Sequence, residues 1–302
     1  MNNSGQLSVM CNIADVTPEF CANNGPANSL AIDALADFVC VSKLTSLCTG
    51  LNGHTTWLQR GLAFYTRLLR NGSTLRELTI QEYNLHNLDG ATHLFTGDAM
   101  PAFVAALRAS SLTKLHLCGY QLLDTVNSDG ALDDALAVIY ACAEHTTLRD
   151  VSFYAQEVVA DTEHVIGEAL GALIATAASV EVLDLTAMRL TAVGLAKVFG
   201  GVAATHRLRV LILDEQEFDS HTVRDIIFPA VTANSSLREL RLGGMTPGST
   251  VGAIEALVRG RSAQGRAENE RWYELQGWHD ARQLAAQAEA ELHSSDDDVP
   301  AA

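Results

Sequence analysis

Apolar residues along the chain fall into one short frame that keeps returning: an aliphatic residue, two positions, a second apolar residue, one position, a third. It is clear in "LRELTI" from Leu75, "LTKLHL" from Leu112, "LRDVSF" from Leu148, "VEVLDL" from Val180, "LRVLIL" from Leu208 and "LRELRL" from Leu237. A weaker copy, "LTSLCT", starts at Leu44. Successive starts lie 31, 37, 36, 32, 28 and 29 residues apart. Position 11 is apolar again at Leu85, Leu122, Val158, Leu190 and Phe218, but not at His54 or Pro247.

Positions 4 and 6 are two residues apart, so in a strand they share one face while 3, 5 and 7 share the other. Between frames come "WLQRGLAFYTRLLRNGS", "PAFVAALRASS", "LAVIYACAEHTT", "LGALIATAAS", "AVGLAKVFGGVAATHR" and "VRDIIFPAVTANSS". Their apolar residues, three and four apart, predict helices that end in small or polar residues just before the next frame. Pro101 sits near the start of its helix, where a missing N–H costs little. Pro229 lies inside the sixth stretch and predicts a short or bent helix. One strand and one helix cannot bury their apolar sides alone, so the units must stack, with parallel strands joined by helical crossovers. Seven strands at ~4.8 Å would span roughly 30 Å. Helices are wider than strands, so such a stack is expected to curve with the strands inside.

The chain resembles leucine-rich repeat proteins of the ribonuclease-inhibitor-like class, whose units carry LxxLxLxxNxL followed by a full helix. The match covers about residues 30 to 262 and rests on repetition. The resemblance implies an α/β horseshoe solenoid of about seven repeats, with parallel strands on the concave face and helices on the convex face. One departure stands out. The class usually places Asn or Cys at position 9, bonded to the backbone of the turn after the strand. Here position 9 is Asn52, Tyr83, Tyr120, Gln156, Met188, Gln216 and Met245. The asparagine ladder is almost absent, so those turns should be less regular. An ordinary α/β domain with several parallel strands is the alternative.

Outside the repeats the pattern changes. Residues 1–27 carry no periodicity and no Lys or Arg, which predicts a mobile segment or an irregular cover. The repeat domain then spans 28–262, opened by a helix in "NSLAIDALADFV" with Asn28 or Ser29 as cap. Over 263–293 an apolar stripe that includes Trp272, Leu275 and Trp278 predicts an amphipathic helix, either a cap on the last repeat or a docking helix for another protein. Residues 294–302, "SSDDDVPAA", are acidic and predict a disordered tail.

Charge narrows the choice of partner. A formal charge of −16 argues against nucleic acid or an anionic membrane as the main partner. Six scattered cysteines without CxxC spacing, no secretory leader and no run of ~18 apolar residues point to a reduced, cytosolic or nuclear protein. Nothing in the sequence indicates a homo-oligomer.

Chemistry-bearing motifs are missing. There is no GxSxG, HExxH, P-loop or dinucleotide fingerprint, so no catalytic residue, cofactor or metal is expected. His86 and His93, and His116 beside Cys118, have no matching carboxylate at a diagnostic sequence spacing. Attention therefore falls on the strand positions that face away from the leucines. Position 3 reads Glu77, Lys114, Asp150, Val182, Val210 and Glu239; position 5 reads Thr79, His116, Ser152, Asp184, Ile212 and Arg241; position 7 reads Gln81, Cys118, Tyr154, Thr186, Asp214 and Gly243. Lys114, His116, Asp150, Tyr154, Asp184, Asp214, Glu215 and Arg241 are the candidate partner-binding residues. Tyr154 is expected to be exposed, and Tyr83 and Tyr120 to pack in their turns. The long loops "HNLDGATHLFTGDAM" and "LLDTVNSDGALD" form a second candidate surface. A column of arginines at position 2, Arg76, Arg149, Arg209 and Arg238, is expected to be a solvated row beside carboxylates rather than a phosphate-binding stripe.

These features predict a non-catalytic scaffold for a protein partner, on its own or as a subunit of a larger complex. Two alternatives follow from family resemblance. Adaptors of ubiquitin ligases pair this repeat type with an F-box, for which residues 1–43 give no convincing match. Ran GTPase-activating proteins are similar in repeat type and acidic end, although their acidic region is generally longer.

Overall fold

In a computed structural model, the structure describes residues 9–12, 36–52, 55–72, 74–83, 98–118, 131–154, 158, 161–216, 218–243 and 250–262. Each frame becomes a strand. They are β2 (Ser46–Asn52), β3 (Glu77–Tyr83), β4 (Lys114–Cys118), β5 (Asp150–Ser152), β6 (Val182–Asp184), β7 (Val210–Ile212) and β8 (Glu239–Arg241). One strand precedes them, β1 (Val9–Asn12), pairing in parallel with β2 through Val9 opposite Leu47. The sheet therefore has eight strands in strict chain order, β1 to β8, all parallel. The frame search passes over β1 because, counted back from Val9, position 1 is Gln6 rather than an aliphatic residue.

The register follows the frame. Leu47, Leu78, Leu115, Val151, Leu183, Leu211 and Leu240, all at position 4, stand opposite one another across the strands from β2 to β8. They are buried, as are the residues at positions 1 and 6. A one-residue slip would turn every one of these side chains to the other face, which is why the pattern fixes the pairing. The weaker first copy is explained by a substitution in kind: Thr49 stands where the others have an apolar residue, and its hydroxyl lies 2.7 Å from the Tyr65 hydroxyl in the core.

Helices follow the strands. Residues 36–41 are helical (α1), then come α2 (Thr55–Asn71), α3 (Met100–Ala109), α4 (Ala131–Glu144), α5 (Glu163–Thr176) and α6 (Ala192–Ala204). The next helix, α7, is irregular: Ser220–Thr222 runs into a π-helical turn, Val223–Ile227, and then Phe228–Ala233. Pro229, at the start of that last segment, has no N–H and crowds the carbonyl four residues back, and the wider turn accommodates both. Pro101 lies in the first turn of α3. The final described helix is α8 (Thr250–Arg259). From α2 onward each helix touches the next in the chain, and helix and strand residues share one apolar cluster running from Ala36 to Val258. Closest approach occurs between α5 and α6. A Cβ on Gly171 would meet the Lys197 carbonyl, and one on Gly201 would meet the Gly171 carbonyl, so glycine is what lets those two backbones touch.

Of the end segments, residues 1–8, 13–27 and 263–302 lie outside the described residues, as do most of the two long loops, and with them Trp272, Leu275, Trp278 and Tyr120. No helix among the described residues is long and apolar enough to cross a membrane.

Candidate functional site

Strand alternation gives the sheet two unlike faces. Positions 4 and 6 enter the core shared with the helices, and in β4 burial alternates strictly along the strand. Positions 3 and 5 point the other way, and from β3 to β8 they are half-buried or exposed, with Ser152 the buried exception. This open face carries most of the candidate residues, and pairing register decides which of them meet.

Lys114 on β4 stands directly opposite Asp150 on β5. The Lys114 ammonium lies 3.3 Å from one Asp150 oxygen, and His116 Nε2 lies 2.9 Å from the other. Histidine and carboxylate are 34 residues apart in the chain. Sequence spacing gives His116 no matching carboxylate; consecutive frames bring Asp150 to it in space, which linear spacing does not reveal. Burial would raise the Asp150 carboxyl. Hydrogen bonding and electrostatic attraction from His116 and Lys114 outweigh that effect and hold it below the ordinary range. Cys118, on the same strand, behaves oppositely. Burial, with a contribution from the Asp184 charge, pushes its thiol up to about 11. At neutral pH it stays protonated and is a poor nucleophile. Among the described residues Cys40, Cys48, Cys118 and Cys142 are all free thiols, and no three His, Cys, Asp or Glu side chains converge as a metal site.

Asp184, at the end of β6, serves its own turn. One oxygen accepts from the Thr186 N–H at 2.9 Å and the Thr186 hydroxyl at 2.6 Å, and the other accepts from the Ser152 hydroxyl at 3.3 Å. Opposite Asp184 on β7 is Ile212. Val182 and Val210 are also paired across this junction, so an aliphatic strip crosses β6 and β7. On β8, Arg241 donates to Glu239 at 2.7 Å and the two neutralise each other. Asp214 and Glu215 occupy the turn after β7, where Glu215 adopts a left-handed backbone conformation. Tyr154 follows β5 and is 38% exposed. Three candidates therefore converge, Lys114, His116 and Asp150. Asp184 and Asp214 border the aliphatic strip instead, and Arg241 is tied to Glu239.

Val182, Val210 and Ile212 were not among the candidate residues read from the sequence. The signal was present, since these are aliphatic residues at positions where most other strands carry polar ones. The arginine column does not form a stripe for phosphate. Arg209 donates to the Ser236 carbonyl at 3.2 Å, Arg238 to the Ser235 carbonyl at 2.8 Å and Arg76 to the Leu75 carbonyl at 3.1 Å. Arg149 faces Glu181 at 4.0 Å.

Comparison with protein-family models and with curated proteins gave no match. The chain is thus defined by its own geometry: alternating β–α units whose strands form one parallel sheet in chain order, with no family identified.

Proposed function

We propose that the chain is a leucine-rich repeat solenoid of the ribonuclease-inhibitor-like class. In this reading it serves as a non-catalytic scaffold, holding a protein partner against the concave, open face of its sheet. The supporting observation is the unbroken in-register sheet, β1 to β8, whose core-facing side is filled by leucines while its other side carries half-exposed polar and aliphatic side chains. A sheet whose strands add in order is a rigid platform that grows along one axis, and stacking α-helices on one side alone curves it. The protonated Cys118 thiol beside the His116–Asp150 pair favours a binding role over nucleophilic chemistry there.

The test compares protein capture by the wild type with two folded variants. Tyr154→Ala/Ile212→Asp alters the open face, and Val193→Asp/Leu257→Asp places the same chemistry on exposed helix residues. The open-face variant is expected to lose a partner that the helix variant keeps. Equal retention by both would refute the reading.

A further inference from the structure

The charges of the open face, counted after internal pairing, leave a local remainder. In its first half, Asp150 is matched by Lys114 and His116, and Glu77, which has no such partner among the described residues, sits beside polar neighbours rather than an aliphatic strip. On the last strand, Glu239 is matched by Arg241. Between them Asp184, Asp214 and Glu215 have no Lys, Arg or His within 4.0 Å among the described residues. Among the described residues Asp184 receives only hydroxyl and amide donors, which carry no charge to offset its own. These carboxylates flank the strip of Val182, Val210 and Ile212, whose side chains stay half-buried rather than covered. Exposed aliphatic area beside uncompensated carboxylate suits a ligand that supplies both what the strip lacks, apolar cover, and what the carboxylates lack, a cation.

Resting on the platform reading, we infer that the β6–β7 part of the open face takes a protein segment with Lys or Arg next to aliphatic residues. The aliphatic side chains lie on Val182, Val210 and Ile212, and the cation reaches Asp214 and Asp184. Long basic side chains fit this division, because their methylene stems cover apolar surface while the head group stays at the carboxylates. Balanced pairs on either side set the register: a second cation placed over Lys114 or Arg241 meets like charge, and an acidic segment meets Asp184 and Asp214.

The test uses three fluorescein-labelled peptides in anisotropy titrations of the full chain: alternating Lys and Leu, alternating Glu and Leu, and alternating Lys and Ser. The Lys/Leu peptide is expected to bind tightest. Asp214→Lys and Ile212→Thr should each weaken it by about tenfold. Glu168→Lys, the same charge change on exposed α5, should leave it within about twofold. Asp214→Asn, which adds no new charge, should act in the same direction as Asp214→Lys and guards against a folding defect in the latter. Equal weakening by Glu168→Lys would reduce the effect to net charge and overturn the inference, as would equal binding of the Lys/Ser peptide. If the Glu/Leu peptide binds instead, and Ile212→Thr weakens it, the platform reading stands and the cationic partner is refuted. If no peptide responds to the open-face substitutions, both fall.

Discussion

The two ends of each β–α unit are built differently. Where a helix leads into a strand, one arrangement repeats. The carbonyl at position 2 of each frame accepts two consecutive N–H groups from the next: Thr45 from Arg76 and Glu77, Arg76 from Thr113 and Lys114, Thr113 from Arg149 and Asp150. Arg149, Glu181 and Arg209 continue the series in the same way. Hydroxyls just ahead of the frame reinforce it. Thr74 donates to the Leu44 carbonyl, Thr147 to Leu112 and Ser236 to Leu208, while Ser179 donates to the His145 carbonyl.

Where a strand leads into a helix, the described residues show differing devices. Gln216 reaches back to the previous turn, accepting from the Leu190 N–H at 2.9 Å and donating to the Leu185 carbonyl at 3.3 Å. Glu163, buried at the start of α5, accepts from the Thr191 hydroxyl at 2.7 Å, the Gly194 N–H at 3.2 Å and the Thr191 N–H, and so caps α6 from the neighbouring unit. Ala187, Arg189 and Glu215 take left-handed backbone conformations in these turns. The difference teaches where the polar order of this stack resides. Position 9 holds asparagine only at Asn52. Among the described residues the repeating polar order is a hydroxyl and carbonyl ladder at the opposite end of the unit, while the described strand-to-helix turns differ from one another.

Three substitutions probe that contrast. The largest effect is expected from Asn234→Ala at the helix-to-strand end. Asn234 donates to the Val202 and Thr205 carbonyls at 2.7 and 2.9 Å and accepts from the Ser236 and Leu237 N–H groups at 2.9 and 2.7 Å, all buried. Leaving those groups unmatched should cost about 3 kcal/mol in urea unfolding. Glu163→Ala, at the strand-to-helix end, should cost about 2 kcal/mol, because it leaves the Thr191 and Gly194 N–H groups unmatched while Thr191 still caps α6 through the Val193 N–H. A reversed order would show that the variable ends carry the stack.

The smallest effect at neutral pH is expected from His145→Asn. His145 Nδ1 accepts from the Thr147 and Leu148 N–H groups at 3.2 and 3.1 Å, the same two-residue and three-residue spacing that the Asn234 side chain uses. Its proton therefore sits on Nε2, 3.1 Å from the Ser110 hydroxyl. Burial lowers the imidazole below its ordinary value, with a hydrogen bond to the Leu107 carbonyl acting the other way. A neutral ring with a lowered value stabilises fully above about pH 6.5, and that stabilisation is lost as pH falls through the lowered value. Asparagine keeps the acceptor and cannot titrate. Urea midpoints measured from pH 7 to pH 5 should fall more steeply for the wild type than for His145→Asn, and parallel curves would contradict this account of the turn.

Much of the architecture was legible because burial at positions 1, 4 and 6 is a local requirement repeated in every unit. Leu78 and Leu115 announce their strands, and their common frame sets their register. β1 was not legible, since its pairing depends on β2 as a template and its own frame starts on Gln6. The His116–Asp150 pair was hidden only from linear spacing: aligned frames put Lys114 and Asp150 in one row. The polar ladder was visible as Ser or Thr immediately before Leu75, Leu148, Val180 and Leu237. Those hydroxyls looked like helix ends because their partners are carbonyls in the previous unit.

The most direct measurement of the central claim is site-specific photo-cross-linking of the chain with its captured partner. A photoreactive residue placed at Ile212, on the open face, is compared with one at Val193 or Leu257 on the helix layer. Adducts to the partner from Ile212 and none from Val193 or Leu257 are the predicted result. Adducts from the helix positions with none from Ile212 would contradict it.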